Sequence, residues 1–352
     1  MKKVSAFLLS LMILLSFSGC EKDSGGASSG TAQNENQSSQ VVSKVEYAKN
    51  PLTGEYTLDK SAEGTRPVSI MINNIKVSLP QRGLSQADLC YEVLAEGGIT
   101  RILAIFPDHT KIPDTGSVRS ARQYYIELAK PHNAIFVHFG GSYRALETIK
   151  QKKLDTINGL YISSGFYRDP NRLGKIPREH TVFTDSSYLA KAIKYKNINV
   201  NGNSPDAFKF GDNSTTMSIG NAATSIEAPF SSYDKATFTY NESTGLYEKG
   251  QFNAAHIDGA TGNALAVKNV FVLQTTIGKL QGNTTKSDYI DVDLSSGEGY
   301  YATNGKIIPI TWKKGEMDDQ LKYYTTDGKE LTVNTGKTWV CIIPETNQVT
   351  YQ

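Results

Sequence analysis

Two patterns of apolar and polar positions divide this chain. Over residues 61–198, apolar runs alternate with amphipathic stretches, so strands and helices are both predicted. Pro67-Val-Ser-Ile-Met-Ile-Asn73 reads as a strand, and Leu89–Glu96 and Ile99–Phe106, split by Gly97-Gly98, read as a hairpin with a two-residue turn. Pairing Glu96 with Ile99 in that hairpin places Arg101 opposite Leu94, with Glu92 and Glu96 diagonal to it on the same face. This charge cluster is either a solvated face or one wall of a site. Ser117 or Ser120 can cap a helix running to Lys130, where Pro131 stops it. Asn133–Phe139 reads as a buried strand, and Gly140-Gly141-Ser142 opens a helix through about Lys153. His180–Phe183 is a short strand, and Asp185 caps a helix to about Lys196.

Beyond that helix the pattern changes. A polar stretch from Asn197 to Asn221, rich in Asn, Gly and Ser, leads into segments of strand and turn with little helical periodicity. Strands are predicted at Ala236–Tyr240, Asn269–Leu273, Tyr289–Leu294, Gly299–Ala302, Lys306–Trp312, Leu321–Thr325 and Trp339–Ile343, with Asn304-Gly305 and Asp327-Gly328 as hairpin turns. The fold class is therefore α+β. A mixed α/β domain over residues 61–198 and a polar linker over 199–221 precede a small, mainly β domain over 222–352.

The first residues follow a third pattern. Lys2 and Lys3 precede an apolar run, Val4–Phe17, that is short for a transmembrane helix. It ends at Phe17-Ser18-Gly19-Cys20, which resembles the bacterial lipobox. Residues 1–19 are then a signal peptide and the Cys20 thiol carries diacylglycerol; an ordinary secretory signal cut elsewhere is the alternative. Residues 21–40 hold no aromatic or large aliphatic side chain, so 20–60 reads as a lipidated cysteine and flexible tether. The expected address is the outer, extracytoplasmic face of the cell membrane.

Composition narrows the function classes. A chain of 352 residues is long enough for two domains with cores of their own, and 39% hydrophobic with 20% charged residues excludes a collagen-like, coiled-coil or wholly disordered polymer. Removal of Lys2 and Lys3 takes Lys+Arg from 37 to 35, equal to Asp+Glu. A neutral mature chain lacks the field that steers nucleic acid to a protein. Cys90 and Cys341 lie on apolar segments and read as buried thiols, with a disulfide as the alternative in an oxidising compartment. No Cys/His spacing suggests a metal site, and no motif calls for a cofactor.

Arginine changes the picture more than net charge does. All nine lie between Arg66 and Arg178, whereas lysine is spread throughout, and guanidinium suits bidentate pairing with carboxylate or phosphate. Arg119 and Arg122, one turn apart at a predicted helix start, oppose the macrodipole unless an anion or an acidic side chain sits there. A bound ligand and an internal salt bridge to Glu92 and Glu96 are the two resolutions. The strand, the Gly140-Gly141 turn and the helix start at Ser142 form an anion-binding corner, with Ser142 as N-cap and His138 pointing either into the corner or into the core. Arg168 and Asp169 sit on the Pro-, Gly- and charge-rich stretch Gly165–His180, a site element or a solvated crossover.

Several motifs fall together in order. Pro67-Val-Ser-Ile-Met-Ile-Asn-Asn74, Gly83-Leu-Ser-Gln-Ala-Asp88, Tyr91-Glu-Val93, Glu96-Gly-Gly-Ile-Thr-Arg101, Val118-Arg-Ser-Ala-Arg122, His138-Phe-Gly-Gly-Ser142 and Phe166-Tyr-Arg-Asp169 resemble the first domain of the YerB-like bacterial lipoproteins. Gly305-Lys-Ile-Ile308, Thr311-Trp-Lys313, Asp327-Gly-Lys329 and Gly336-Lys-Thr-Trp339 resemble the second domain. The resemblance implies a two-domain lipoprotein, both domains being of unknown function, and it carries no catalytic residues over.

The expected function is a membrane-anchored lipoprotein that binds an anionic small molecule or cell-wall polymer. Its cleft would gather Arg101, Arg119, Arg122 and His138, with Gly140, Gly141, Ser142, Glu92, Glu96, Arg168 and Asp169 around them. One rival is an envelope hydrolase or transferase in which Glu92 or Glu96 is the general acid or base and Arg119 with Arg122 stabilises developing charge. The other is an envelope assembly scaffold binding protein partners, marked by an apolar patch on the β-domain.

Overall fold

A computed structural model describes residues 46–211, 220–281 and 289–352. The signal peptide, Cys20 and most of the tether lie outside the described residues, as does part of the polar linker. The first part of the chain supplies β1 (Val68–Asn74), β2 (Leu89–Leu94), β3 (Thr100–Phe106), β4 (Ile135–His138) and β5 (Thr156–Asn158), with helices α1 (Gln123–Ala129), α2 (Tyr143–Gln151) and α3 (Ser186–Lys196). β1, β3, β4 and β5 are buried along their whole length, which is why they read as unbroken apolar runs rather than alternating ones. β1 lies between β3, antiparallel, and β4, parallel, and β5 continues parallel to β4.

The second part supplies β6 (Ser225–Pro229), β7 (Lys235–Asn241), β8 (Leu246–Gln251), β9 (Asn269–Thr275), β10 (Ser296–Thr303), β11 (Lys306–Lys313) and β12 (Thr338–Pro344). β10 and β11 pair through Thr303 and Lys306 around Asn304-Gly305, whose φ values of 51° and 71° make the primed turn that the Asn-Gly signal predicts. β12 runs parallel to β9 on one side and to β2 on the other. That pairing joins both parts of the chain in one sheet of eleven strands, ordered Asn221–Ala222, β11, β10, β9, β12, β2, β3, β1, β4, β5, with Lys322–Thr325 beside β11.

β8, β7 and β6 belong to a second sheet of six strands. Its inner residues Ile226, Phe238 and Tyr247 share a buried cluster with Cys90, Ile102, Trp339 and Cys341 of the large sheet. The opposite face of the large sheet, with Tyr91, Leu103, Val340 and Phe271, packs on Tyr124, Tyr125 and Leu128 of α1. Cys90 and Cys341 are free and buried, and burial pushes both thiols well above their ordinary range.

Two local expectations need correction. In the β2–β3 hairpin Leu94 faces Thr100 and Val93 faces Arg101, a register one residue away from the predicted one. The connection is Ala95–Ile99, closed by Ala95 N–H donating to Ile99 O at 2.7 Å, because Gly97 and Gly98 both take left-handed φ and make a wider turn than two residues would. A slip of one residue turns every side chain to the other face. Glu92 and Thr100 therefore face the second sheet, and Arg101 faces α1.

Secondly, α1 starts at Gln123 with Arg122 as N-cap, not at Ser117 or Ser120. The preceding backbone is already occupied: Asn73 N–H donates to Ser117 O, Arg119 N–H to Met71 O, and Ala121 N–H to Gly140 O. Extended by these bonds, residues 117–121 cannot form the first turn of a helix. The other two helix starts follow the sequence. Ser142 Oγ accepts from Ala145 N–H at 3.3 Å, and Asp185 Oδ1 accepts from Ser187 and Tyr188 N–H.

Candidate functional site

The segment Arg119–Arg122 runs beside Phe139–Ser142, tied by Phe139 N–H to Arg119 O at 3.0 Å and Ser142 N–H to Ala121 O at 3.1 Å. This places the N-terminus of α2 next to the arginines. Arg101 reaches the same place from β3, with Nη1 donating to Ser120 O at 3.0 Å. Arg122 grips Glu96 with two bonds, Nε to Oε1 at 2.5 Å and Nη2 to Oε2 at 2.7 Å, and Arg101 Nη2 lies 3.6 Å from Glu96 Oε2. The bidentate fork is why the helix tolerates a cation at its N-cap. Burial pushes the Glu96 carboxyl up, but the Arg122 bonds and charge outweigh it and hold the group below its ordinary range.

Glu96 thus serves two of the three guanidiniums, Arg101 and Arg122, while Arg119 is drawn chiefly to the Glu179 carboxylate. Arg119 makes one long bond, Nη1 to Glu179 O at 3.5 Å, and Nε of both Arg101 and Arg119 is buried without a partner. Burial, and then repulsion from Arg122, lowers Arg101 to about 10.

The remaining predicted residues divide. His138 is buried with Nδ1 2.7 Å from Gly140 O. A carbonyl only accepts, so Nδ1 carries the proton, and Nε2 is a bare acceptor without a partner. Burial lowers this imidazole to about 4, so it is neutral at pH 7 and adds no charge to the cluster. Gly140 has a φ of 74° and a Cβ there would approach Leu160 Cδ1 to 3.2 Å, so both conformation and space select glycine. Arg168 and Asp169 part company: Arg168 Nη1 donates to Arg178 O at 2.6 Å and Thr181 Oγ1 at 3.0 Å, while Asp169 accepts from Arg82 Nη2 at 2.8 Å.

Glu92 is not part of this cluster. The register that turns it away from Arg101 sends it into a buried network that sequence reasoning missed. Glu92 Oε1 accepts from Asn74 Nδ2 at 2.7 Å, and Oε2 from Trp339 Nε1 at 3.0 Å, with Lys249 Nζ at 3.3 Å. Lys249 Nζ also lies 3.1 Å from His256 Nδ1. An ammonium only donates, so Nδ1 accepts and Nε2–H donates to Gln81 Oε1 at 2.8 Å; His256 is neutral, as its burial beside Lys249 also requires.

The Thr100 hydroxyl fixes one more proton. Its Oγ1 is 3.0 Å from Glu92 Oε1 and 2.9 Å from Asp234 Oδ2, yet it has one hydrogen to give. Glu92 already collects donors from Lys249, Asn74 and Trp339, whereas Asp234 otherwise receives only Gln251 Nε2 at 3.1 Å. Below about pH 6 the arrangement closes with Asp234 protonated and donating to Thr100, which donates to Glu92. Burial, and then the Glu92 charge, push Asp234 up to about 6. The signal in the sequence was faint: β8 places Tyr247, Lys249 and Gln251 inward, an alternation hidden because two of the three are polar.

Comparison with known proteins divides the chain in two. The N-terminal domain of a protein family of unknown function (DUF3048) matches residues 52–199, and its C-terminal domain matches residues 226–340. Over 316 residues the chain is 31% identical to "Putative lipoprotein YerB" of Bacillus subtilis (strain 168), covering 88% of this chain and 90% of that protein. The chain belongs to the YerB-like lipoprotein family. The crystal structure of YerB from Bacillus subtilis superposes with a TM-score of 0.76 at 28% identity, covering 87% of this chain and 99% of that one. On the family's boundaries, the arginine cluster lies within the N-terminal domain. The buried network joins the two: Asn74, Gln81, Glu92 and Thr100 come from the N-terminal domain, and Asp234, Lys249, His256 and Trp339 from the C-terminal domain of this YerB-like protein.

Proposed function

We propose that this YerB-like protein is held by diacylglycerol on Cys20 at the outer face of the cell membrane, and that it binds an anionic ligand at Arg101, Arg119 and Arg122. The ligand is a small anion or an anionic stretch of envelope polymer. One observation carries the reading: Arg101 and Arg122 share the Glu96 carboxylate beside the N-terminus of α2, Arg119 lies alongside on the same segment, and Nε of Arg101 and of Arg119 is buried without a partner. A phosphate or carboxylate placed there would complete the hydrogen bonding of the guanidiniums and meet the positive end of the helix. His138 stays outside this role, being neutral. Glu92, saturated by donors on the other face of the sheet, has no open position for general acid–base work beside the arginines.

The test is a thermal-shift titration of the lipidated chain in detergent with inorganic phosphate, sugar phosphates and wall-polymer fragments. A ligand at 100 times its Kd adds about 2.7 kcal/mol. The shift is expected in the wild type and absent in Arg119→Gln, whose own melting point stays near that of the wild type because Arg119 has no side-chain partner closer than the Glu179 carbonyl at 3.5 Å. Equal shifts in both proteins, or none in the wild type, refute the site. Cys20→Ser moves the protein from the membrane to the soluble fraction if the anchor is as proposed.

A further inference from the structure

A different cavity, of about 400 Å³, opens between Lys76, the turn Ser231–Asp234 and the tip of the β7–β8 sheet's next hairpin at Phe252-Asn253. Its volume lies within the range of small-molecule sites. The hairpin pairs Gln251 with Ala254, leaving Phe252 and Asn253 as a two-residue turn with φ of 52° and 61°. Such a turn favours Asn-Gly, and a bulky aromatic at positive φ is an outlier that costs stability. Phe252 is held there nonetheless, its ring 5.6 Å from that of Tyr233 in an edge-to-face pair that forms one wall of the cavity. Strain retained where glycine would relieve it points to a use for the side chain.

Tyr233 is held as firmly. Ser231 Oγ donates to Gly98 O at 2.6 Å and accepts from Tyr233 N–H and Asp234 N–H, at 3.0 and 3.1 Å, which fixes the turn while Tyr233 remains 50% exposed. The cavity is lined by a rigid aromatic wall, by Asn253, by Asp234, whose carboxyl is engaged with Thr100 and Gln251, and by a cation: Lys76, which makes no ion pair among the described residues. Lys235, the other lysine there, is neutralised by Glu227 at 2.8 Å.

We propose that this cavity is a saccharide site for an acidic glycan, in which one sugar ring stacks on the Tyr233–Phe252 wall and its carboxylate meets Lys76. An aromatic face supplies apolar contact to the C–H face of a sugar without demanding charge, the amide supplies hydroxyl hydrogen bonds, and the free ammonium selects the acid. The site is separate from the arginine cluster and stands whether or not that cluster binds an anion.

The probes are a hyaluronan tetrasaccharide, which is acidic, and chitotetraose, which is neutral, titrated by calorimetry into the lipidated chain in a sugar-free detergent. The wild type binds the acidic probe more tightly. Phe252→Gly binds it about tenfold more weakly, the scale of one lost aromatic contact, while melting no lower than the wild type because the turn is relieved. Lys76→Gln lowers the acidic probe to the affinity of the neutral one. Tyr233→Ser, an exposed position that leaves the fold intact, weakens both probes. No binding of either probe to the wild type, or unchanged binding in Tyr233→Ser, overturns the proposal. So does a Phe252→Gly protein that melts early and binds as before.

Discussion

Replacing Asp234 with Asn tests the proton count of the buried network. In the wild type the folded-state carboxyl is raised to about 6 from 3.8, chiefly by burial and then by the adjacent Glu92 charge, while Lys249, Thr100 and Gln251 pull it down. A group raised on folding holds its proton more tightly in the native state, so stability falls as pH rises from about 4 through 6 and is level above that. At about 1.4 kcal/mol for each pH unit, the rise amounts to about 3 kcal/mol at pH 8. Asn needs no proton: its Nδ2 can donate to Thr100 Oγ1 and its Oδ1 can accept from Gln251, the two bonds the protonated acid makes. Asp234→Asn is therefore expected to be as stable as the wild type at pH 4 and more stable by about 3 kcal/mol at pH 8, an upward Tm shift of about 5 °C for a chain of this size. The assay is urea unfolding of both proteins from pH 4 to pH 8, read as the difference between the two curves. The difference matters because buried His132 and His138, lowered to about 4 by burial, act in the opposite sense and lose stability as pH falls from 6.5. A variant less stable than the wild type at pH 8, or a difference that does not change with pH, refutes the protonated Asp234.

Lys249→Met leaves Glu92 charged and unpaired in the interior, where both side chains are almost wholly buried, and is expected to lose about 3–5 kcal/mol in denaturant unfolding. Adding Glu92→Gln restores most of that loss, and failure to do so refutes the ion pair as the source. Cys90 and Cys341, buried thiols pushed up by desolvation, stay unmodified by iodoacetamide at pH 8 in the native protein and react once it is unfolded; native labelling of either contradicts their packing.

What the sequence conveyed and what it hid follow from the range of each interaction. Strands such as β1 and β3, buried on both faces, announce themselves as apolar runs, and the caps at Ser142 and Asp185 are written within a few residues. The arginine conflict was also legible, and its resolution by Glu96 uses a residue already singled out. The hairpin register was not. Gly97-Gly98 satisfies both a two-residue turn and the wider one found, and only the packing of Glu92 against the second sheet and Arg101 against α1 separates the two. β8 escaped notice because Lys249 and Gln251 occupy inward positions where alternation leads one to expect apolar side chains.

Those inward polar positions bear on how the two family domains depend on each other. Glu92 and Lys249 lie in different domains yet are buried 3.3 Å apart, and each receives its remaining bonds partly across the same boundary: Glu92 from Trp339, and His256, which caps Lys249, through Gln81. Separated, the N-terminal domain would expose β2 as an unpaired edge carrying a carboxylate without its ammonium, and the C-terminal domain would lose the strand that β12 pairs with. A buried charge without its partner is costly on either side. The boundary that family comparison draws between residues 199 and 226 therefore divides the sequence without dividing the core, and the sheet pairing of β12 with β2 makes the two domains one folding unit over the described residues.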